Sequence, residues 1–355
     1  MSNGQIRVAV VGVGNCASSL VQTVAAAQAG TLGDTGVAHP AVGGYHVDAL
    51  SFVAAFDVDK RKIGYDLSAA ILAAPNCTTA YVTLSPSDVM VSPGPLADGV
   101  PDHLADIVDV SDEVTEVGVD DVAEVLRHSG AEVVVNYLPT GSRTDTSAYA
   151  AAALAAGAAF VNCNPERIGT DRQWQERFAA AGVPLLGDDI RSQLGATRVH
   201  RALLELCQNV GAATDRTYQL NFGGNTDFLN MFEPSRAVSK RRSKERAIAS
   251  LVPAGAQYGA GPAGYVQYLA DEKVAYIRIE GRLLLGMPFT IETRLSVEDS
   301  PNSAGVVIDA IRAAKTAADR GQSGVIAEPS SYLFKSPPEL CNDGLALARF
   351  EEYAA

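Results

Sequence analysis

Apolar residues along this chain fall into short runs separated by stretches of helical period. Residues 6–11 form a run rich in β-branched side chains that leads into Gly12-Val13-Gly14-Asn15-Cys16-Ala17, and residues 18–27 follow with helical spacing. The order predicts strand, glycine turn, helix. Residues 50–56 make the next apolar strand, ending at Asp57, and residues 132–137 another, ending in Leu138-Pro139-Thr140-Gly141-Ser142. A helix over 148–156, a strand over 159–162 and a strand over 183–186, just before Gly187-Asp188-Asp189, continue the alternation. Unbroken apolar strands with helices between them are buried on both faces, which predicts an α/β fold with a Rossmann-like, doubly wound parallel sheet.

The pattern changes near residue 190. Residues 191–207 read as one amphipathic helix, and 216–222 as a strand followed by the polar turn 223–227. Residues 273–280 and 288–297 alternate with the period of half-buried antiparallel strands. A helix over 302–319 starts behind Ser300-Pro301. The division expected is a first domain over 1–190, joined by the C-terminal segment 319–355, and a second α+β domain over 191–318. Residues 78–120 are too rich in Pro, Gly and Asp for an assignment.

Composition narrows the function classes. With 355 residues, 47% of them hydrophobic and 19% charged, the chain can bury a large core. Its net charge of −13 opposes general affinity for nucleic acid or anionic membranes, so neither is expected as a partner. The five cysteines are scattered, without a CxxC pair or histidines at ligand spacing; no metal site and a reduced, cytoplasmic setting are expected. Gly12 and Gly14 break the first apolar run, which argues against a signal peptide, and the alanine-rich stretch 148–161 is shorter than the roughly 20 residues a bilayer span needs.

Only glycine lets a backbone approach a pyrophosphate closely at a strand-to-helix turn, and the helix start behind it offers free N–H groups. Gly12 and Gly14 fill these places, with Asn15 and Cys16 opening the helix. The acidic residue that usually meets the ribose is delayed here by a Gly/Ala/Asp-rich insertion over 30–44 and arrives as Asp57. Its carboxylate accepts from ribose hydroxyls and repels a 2′-phosphate, so NAD is expected over NADP.

Several strings together resemble one family, the myo-inositol-1-phosphate synthases, especially their actinobacterial branch. They are VGVGNCASSLVQ from Val11, FVAAFDVD from Phe52, YLPTGS from Tyr137, GDDIRSQLGAT from Gly187 and LNFGGNTDFLNM from Leu220. SKRRSKE from Ser239, DSPNSAGVVIDAIRAAK from Asp299 and YLFKSPPE from Tyr332 continue the series. The resemblance implies a homotetramer with tightly held NAD that acts on a hexose 6-phosphate. In that chemistry C5 is oxidised to a ketone, C6 loses a proton, the resulting enolate attacks a carbonyl within the same sugar, and the ketone is reduced again.

Site residues follow from the same resemblance. Lys335 and Lys244 are expected to polarise the developing oxyanion or transfer its proton, with Arg191 and Asp271 beside them. Ser192, Gln193, Thr197, Asn225, Asp227 and Lys240 are expected on the substrate. Thr140, Asp188 and Asp309 join Gly12, Gly14, Asn15, Cys16 and Asp57 around the cofactor. On residue chemistry alone the cation-rich run 239–246 is also what a solvated surface looks like, and Asn225 and Asp227 are ordinary turn residues.

Three departures stand out. The family's GDDIKSQ string has a lysine where this chain has Arg191, which stays protonated and cannot accept a proton. VNCNPERIG from Val161 carries Glu166 and Arg167 where apolar residues are expected, as in NALPVFIA, and Thr140 replaces a valine. They favour a diverged member, such as the relative in carbocyclic nucleoside biosynthesis of the aristeromycin type. That relative closes fructose 6-phosphate to a five-membered cyclitol phosphate. Ordinary inositol-phosphate synthesis from glucose 6-phosphate is the alternative, and a non-catalytic NAD-binding regulator a third.

Overall fold

A computed structural model describes residues 4–355. Among these described residues eleven strands form two sheets. The first joins β1 (Ile6–Val11), β2 (Leu50–Asp57), β3 (Val91–Pro93), β4 (Val133–Asn136), β5 (Ala159–Asn162), β6 (Pro184–Leu186) and β11 (Gly324–Val325), in the spatial order β11-β6-β5-β4-β1-β2-β3. Every pairing in it is parallel. The order therefore reverses between β1 and β4, which is where a doubly wound sheet opens a crevice.

Both faces of this sheet are covered, as its apolar strands require. On one face Val8, Val10, Val133, Val135 and Val161 pack with Leu20 and Val24 of the helix Asn15–Gln28. Val307, Ile308 and Ile311 of the helix Pro301–Asp319 complete that layer. On the other face Ala9, Val11, Val134 and Phe160 meet Val122 and Leu126 of the helix Val119–Ser129 and Tyr149 and Ala153 of the helix Arg143–Ala156. The insertion 30–44 is held against the helix Pro301–Asp319. Arg312 reaches the carbonyls of His39, Pro40 and Tyr45, and Asp309 pairs with His39 and Arg312.

The second sheet contains β7 (Ala213–Gly223), β8 (Gln257–Tyr265), β9 (Glu272–Arg282) and β10 (Pro288–Glu298), in the order β10-β9-β7-β8. The expected antiparallel pairings are present between β10 and β9 and between β9 and β7, but β8 runs parallel to β7, so the sheet is mixed. Three glycines and Pro262 hide β8 from any β-propensity reading, and an edge strand tolerates them. Leu204, Ile248, Ile277 and Ile279 form the core between one face and the helices Ala196–Asn209 and Pro234–Ala249. The opposite face exposes Tyr218, Leu220 and Tyr276.

The helix expected over 191–207 begins only at Ala196. Ile190 bridges Phe334, and the Arg191 N–H donates to Leu333, so these residues serve the strand-like contact with the C-terminal segment. Gly195 then caps the helix with extended backbone.

Candidate active site

The carboxyl ends of β1, β2, β4, β5 and β6 open into one cavity of about 310 Å³, whose far wall comes from β7 and the helix Pro234–Ala249. On the near wall Gly12 has φ +86, and a Cβ there would stand 3.1 Å from the Tyr137 carbonyl oxygen. β1 and β4 meet this closely only because the residue is glycine. Gly14 lines the cavity too, and a Cβ there would meet nothing within 4 Å. As N-cap it offers no side-chain cap, and the first turn carries no acid, so the helix start is available to an anion. Asp57 sits at the tip of β2, accepts from the N–H groups of Val13 (2.8 Å) and Val58 (2.7 Å), and lies 3.6 Å from Lys62. Asn15 holds the neighbouring segment by accepting from the Cys77 N–H at 2.7 Å. These residues fit a dinucleotide.

The far wall is built from lysines around one aspartate. Asp189 stands just beyond β6 with φ +61, in the left-handed region that a non-glycine residue adopts at a cost. Its Oδ1 lies 2.9 Å from Lys335 Nζ and 3.4 Å from Lys240 Nζ, and its Oδ2 accepts from the Ser243 hydroxyl at 2.5 Å. Burial opposes its charge, but Lys240 and Lys335 outweigh that and hold its carboxyl well below the usual range. Lys240 is 3.9 Å from Asp227 as well, and its carboxylate neighbours keep it protonated against the cost of burial. Lys273 pairs with Asp299, whose carboxyl is likewise held low against burial.

Lys244 differs from the others. It is buried, lines the cavity, and has no ion-pair partner among the described residues. Burial first, then Lys273, Lys240 and Lys335, push its pKa well below that of an ordinary lysine. Its amine is thus readily neutral and able to take a proton. Cys16 lines the same cavity, but burial, with Asp299 and Asp271 adding to it, pushes its thiol up to about 12, so it stays protonated.

Of the residues expected from sequence, Gly12, Gly14, Asn15, Cys16, Asp57, Thr140, Arg191, Ser192, Thr197, Asn225, Asp227, Lys240, Lys244 and Lys335 line this cavity. Four do not. Asp188 is fully buried beneath it, where its carboxylate accepts from Asn162 and the N–H groups of Ile168, Gly169 and Thr170. Asp309 is committed to His39 and Arg312. Gln193 donates to the Gly36 carbonyl at 2.5 Å, away from the lysines. Asp271 stands behind Asn225, accepting from its amide at 2.9 Å and from the Ser300 hydroxyl at 2.8 Å. Arg191 reaches the wall, yet its guanidinium turns toward the C-terminal segment, donating to the Phe334 carbonyl and, at 2.8 Å, to Asp343. Arg201 joins Asp343 from the other side at 2.9 Å.

The sequence reading passed over Asp189, Lys273 and Asp299. A Gly-Asp-Asp turn at a strand end was the available signal for Asp189, but nothing local tells which of the two aspartates faces outward. Lys273 and Asp299 lie far apart in sequence and meet only through the pairing of β9 with β10.

A family model described as myo-inositol-1-phosphate synthase matches residues 195–300. The inositol-3-phosphate synthase of Mycolicibacterium smegmatis is 48% identical over 99% of this chain and 98% of its own length. The chain belongs to the myo-inositol-1-phosphate synthase family. It is accordingly an enzyme of the cyclase type, from a family that uses NAD and acts on hexose phosphates. Among solved structures, Ari2 is 38% identical with a TM-score of 0.79, covering 99% of this chain and 98% of its own. A myo-inositol-1-phosphate synthase-related protein from Thermotoga maritima, at 23% identity and a TM-score of 0.81 over 99% of this chain and 98% of its own, shares the fold.

Proposed function

We propose that this chain closes a hexose 6-phosphate into a cyclitol phosphate with NAD as its cofactor, and that the substrate is fructose 6-phosphate, giving a five-membered ring in carbocyclic nucleoside biosynthesis. One arrangement carries the reading of a cyclase. A glycine turn with an open helix start and Asp57 faces a wall of lysines, and among the described residues only Lys244 of that wall lacks a carboxylate.

Gly12, Gly14, Asn15 and Cys16 would hold the pyrophosphate of NAD, Asp57 its ribose, and Thr140 would border its nicotinamide end. When bound, NAD would supply the acceptor for a hydride from C5 of the sugar and the donor that restores it at the end of the same turnover. The proton of the C5 hydroxyl passes to the neutral amine of Lys244 as C5 becomes a ketone. Lys335 and Lys240, fixed by Asp189, carry the charges that stabilise an enolate oxygen and a phosphate. Ser192 and Thr197, beside the uncapped start of the helix Ala196–Asn209, supply further donors to the phosphate. C6 then gives up a proton to the dianionic phosphate of the sugar, the resulting enolate attacks the C2 ketone to form the ring bond, the C2 alkoxide takes that proton back, and Lys244 returns its own proton to the C5 oxygen as the ketone is reduced. Arg191 has no chemical step here, because its guanidinium is engaged by Asp343; Asp271 acts by holding Asn225.

Two observations support fructose 6-phosphate. Polar Thr140 lines the cavity where the family string carries a valine, which suits the additional hydroxymethyl group of a ketose. The likeness to Ari2 over nearly the full length of both chains fits the same reading. A second reading, glucose 6-phosphate to inositol 3-phosphate, is favoured by the names of relatives at 46–48% identity. Incubation with NAD and each sugar phosphate, followed by carbon NMR, decides between them: a cyclopentane from fructose 6-phosphate is expected, and a six-membered product from glucose 6-phosphate alone would overturn the substrate assignment.

The division at residue 190 is supported by the two separate sheets, although the helix Pro301–Asp319 packs on the first one. The exposed apolar face of the second sheet supports a homotetramer built through it. Five free cysteines suit a reduced, cytoplasmic setting, and no helix among the described residues is long and apolar enough to cross a membrane.

A further inference from the structure

Two of the three departures from the family strings meet in the fold. The turn that carries Thr140 and Gly141 follows β4 on the cofactor side, and the loop that carries Glu166 follows β5 beside it. Glu166 is buried, and its Oε1 accepts from the Gly141 N–H at 3.0 Å and from the Ser239 hydroxyl at 2.6 Å. Ser239 is the neighbour of Lys240 on the helix Pro234–Ala249. Thr140 makes a parallel connection: its hydroxyl donates to Asp227 at 3.2 Å, and Asp227 lies 3.9 Å from Lys240. The two elements also touch directly, since a Cβ on Gly141 would stand 2.8 Å from Arg236 of the same helix.

We propose that Glu166 is a positioning residue: its carboxylate fastens the cofactor-side turn 139–142 to the helix that carries Lys240 and Lys244, and thereby fixes the span between the two walls in which the sugar phosphate sits. The inference rests on the cyclase reading above and deepens it. An apolar residue at this position accepts no hydrogen bond. It would leave the Gly141 N–H and the Ser239 hydroxyl without their partner at a mostly buried contact, and the helix would be free to settle elsewhere. Only Oε1 makes both bonds, while Oε2 lies 3.7 Å from the exposed Arg143. Acceptance of these two bonds, rather than the charge, is therefore what positions the helix.

Glu166→Gln and Glu166→Val separate these roles, with Ser239→Ala as a milder cut from the helix side. Calorimetry with glucitol 6-phosphate, which has no carbonyl and cannot close a ring, reads the span without cyclisation; kcat and KM for fructose 6-phosphate and glucose 6-phosphate read it with turnover. Glu166→Gln should bind glucitol 6-phosphate within about threefold of the parent, Ser239→Ala should lose about threefold, and Glu166→Val about tenfold or more. The same order is expected in kcat/KM, with the ratio between the two substrates shifted in Glu166→Val. Equal binding by the parent and Glu166→Val, or equal losses in Glu166→Gln and Glu166→Val, would overturn the proposal; if Glu166→Val does not fold, an unchanged Ser239→Ala would do so. A parent that binds glucitol 6-phosphate yet makes no cyclitol would defeat the cyclase reading instead, and the binding comparison would still decide the role of Glu166.

Discussion

Among individual residues, Lys244 holds the sharpest consequence of burial. If its amine is the proton acceptor, as proposed, kcat should rise with pH through an apparent pKa well below that of a free lysine. Lys244→Met should lower kcat by about a hundredfold or more, and Lys244→Arg, which cannot lose its proton, should not restore it. Steady-state rates across pH check both, and a Lys244→Arg variant with parental activity would remove the proposed base. A second buried group acts on stability. His200 lies in the interior with Nε2 2.7 Å from the Thr217 hydroxyl, and burial, opposed only in part by Gln219, brings its pKa from 6.5 down to about 4. The folded state therefore keeps it neutral where the unfolded chain is protonated. Stability is full above pH 6.5 and should fall as pH drops from 6.5 to 4, by on the order of 3 kcal/mol for this residue. Urea midpoints across that window, with His200→Gln flattening part of the slope, measure it. Residue chemistry also marks the limit of what could be read from sequence. Lys244 and Lys335 were legible as candidates, but which lysine lacks a carboxylate depends on Asp189 and Asp299, whose contacts exist only after folding.

At the level of elements, the strand, glycine turn and helix from Ile6 to Gln28 were legible because period and glycine placement act locally. The two glycines of that turn do different work and should separate on mutation. Gly12→Ala forces a left-handed backbone on a residue with Cβ and crowds the Tyr137 carbonyl, so both the melting temperature and NAD affinity should drop. Gly14→Val puts bulk into open space, so the melting temperature should hold while NAD affinity falls about tenfold or more. Calorimetric NAD titration beside thermal melts tests the pair; parental NAD affinity in Gly14→Val would place the cofactor elsewhere. Arg191 shows the converse limit. Its string aligns with a family lysine, yet the direction of its side chain is set by Asp343, more than 140 residues away, and no local pattern carries that information.

For the whole molecule, the doubly wound sheet was legible from alternating apolar runs, whereas the mixed second sheet was not, because β8 has neither the alternation nor the composition of a strand. The exposed Tyr218, Leu220 and Tyr276 on that sheet should be covered in a tetramer. Light scattering should give a mass about four times 37.1 kDa, and Leu220→Glu with Tyr276→Glu should reduce it; a monomeric parent would contradict the assembly. The account as a whole depends on a hydride that leaves C5 and comes back to the same carbon. Fructose 6-phosphate carrying deuterium at C5, turned over with unlabelled NAD, tests this most directly by deuterium NMR of the product. Deuterium retained at the former C5, with no net NADH, is the predicted result; loss of that deuterium, or NADH accumulating in step with product, would contradict it.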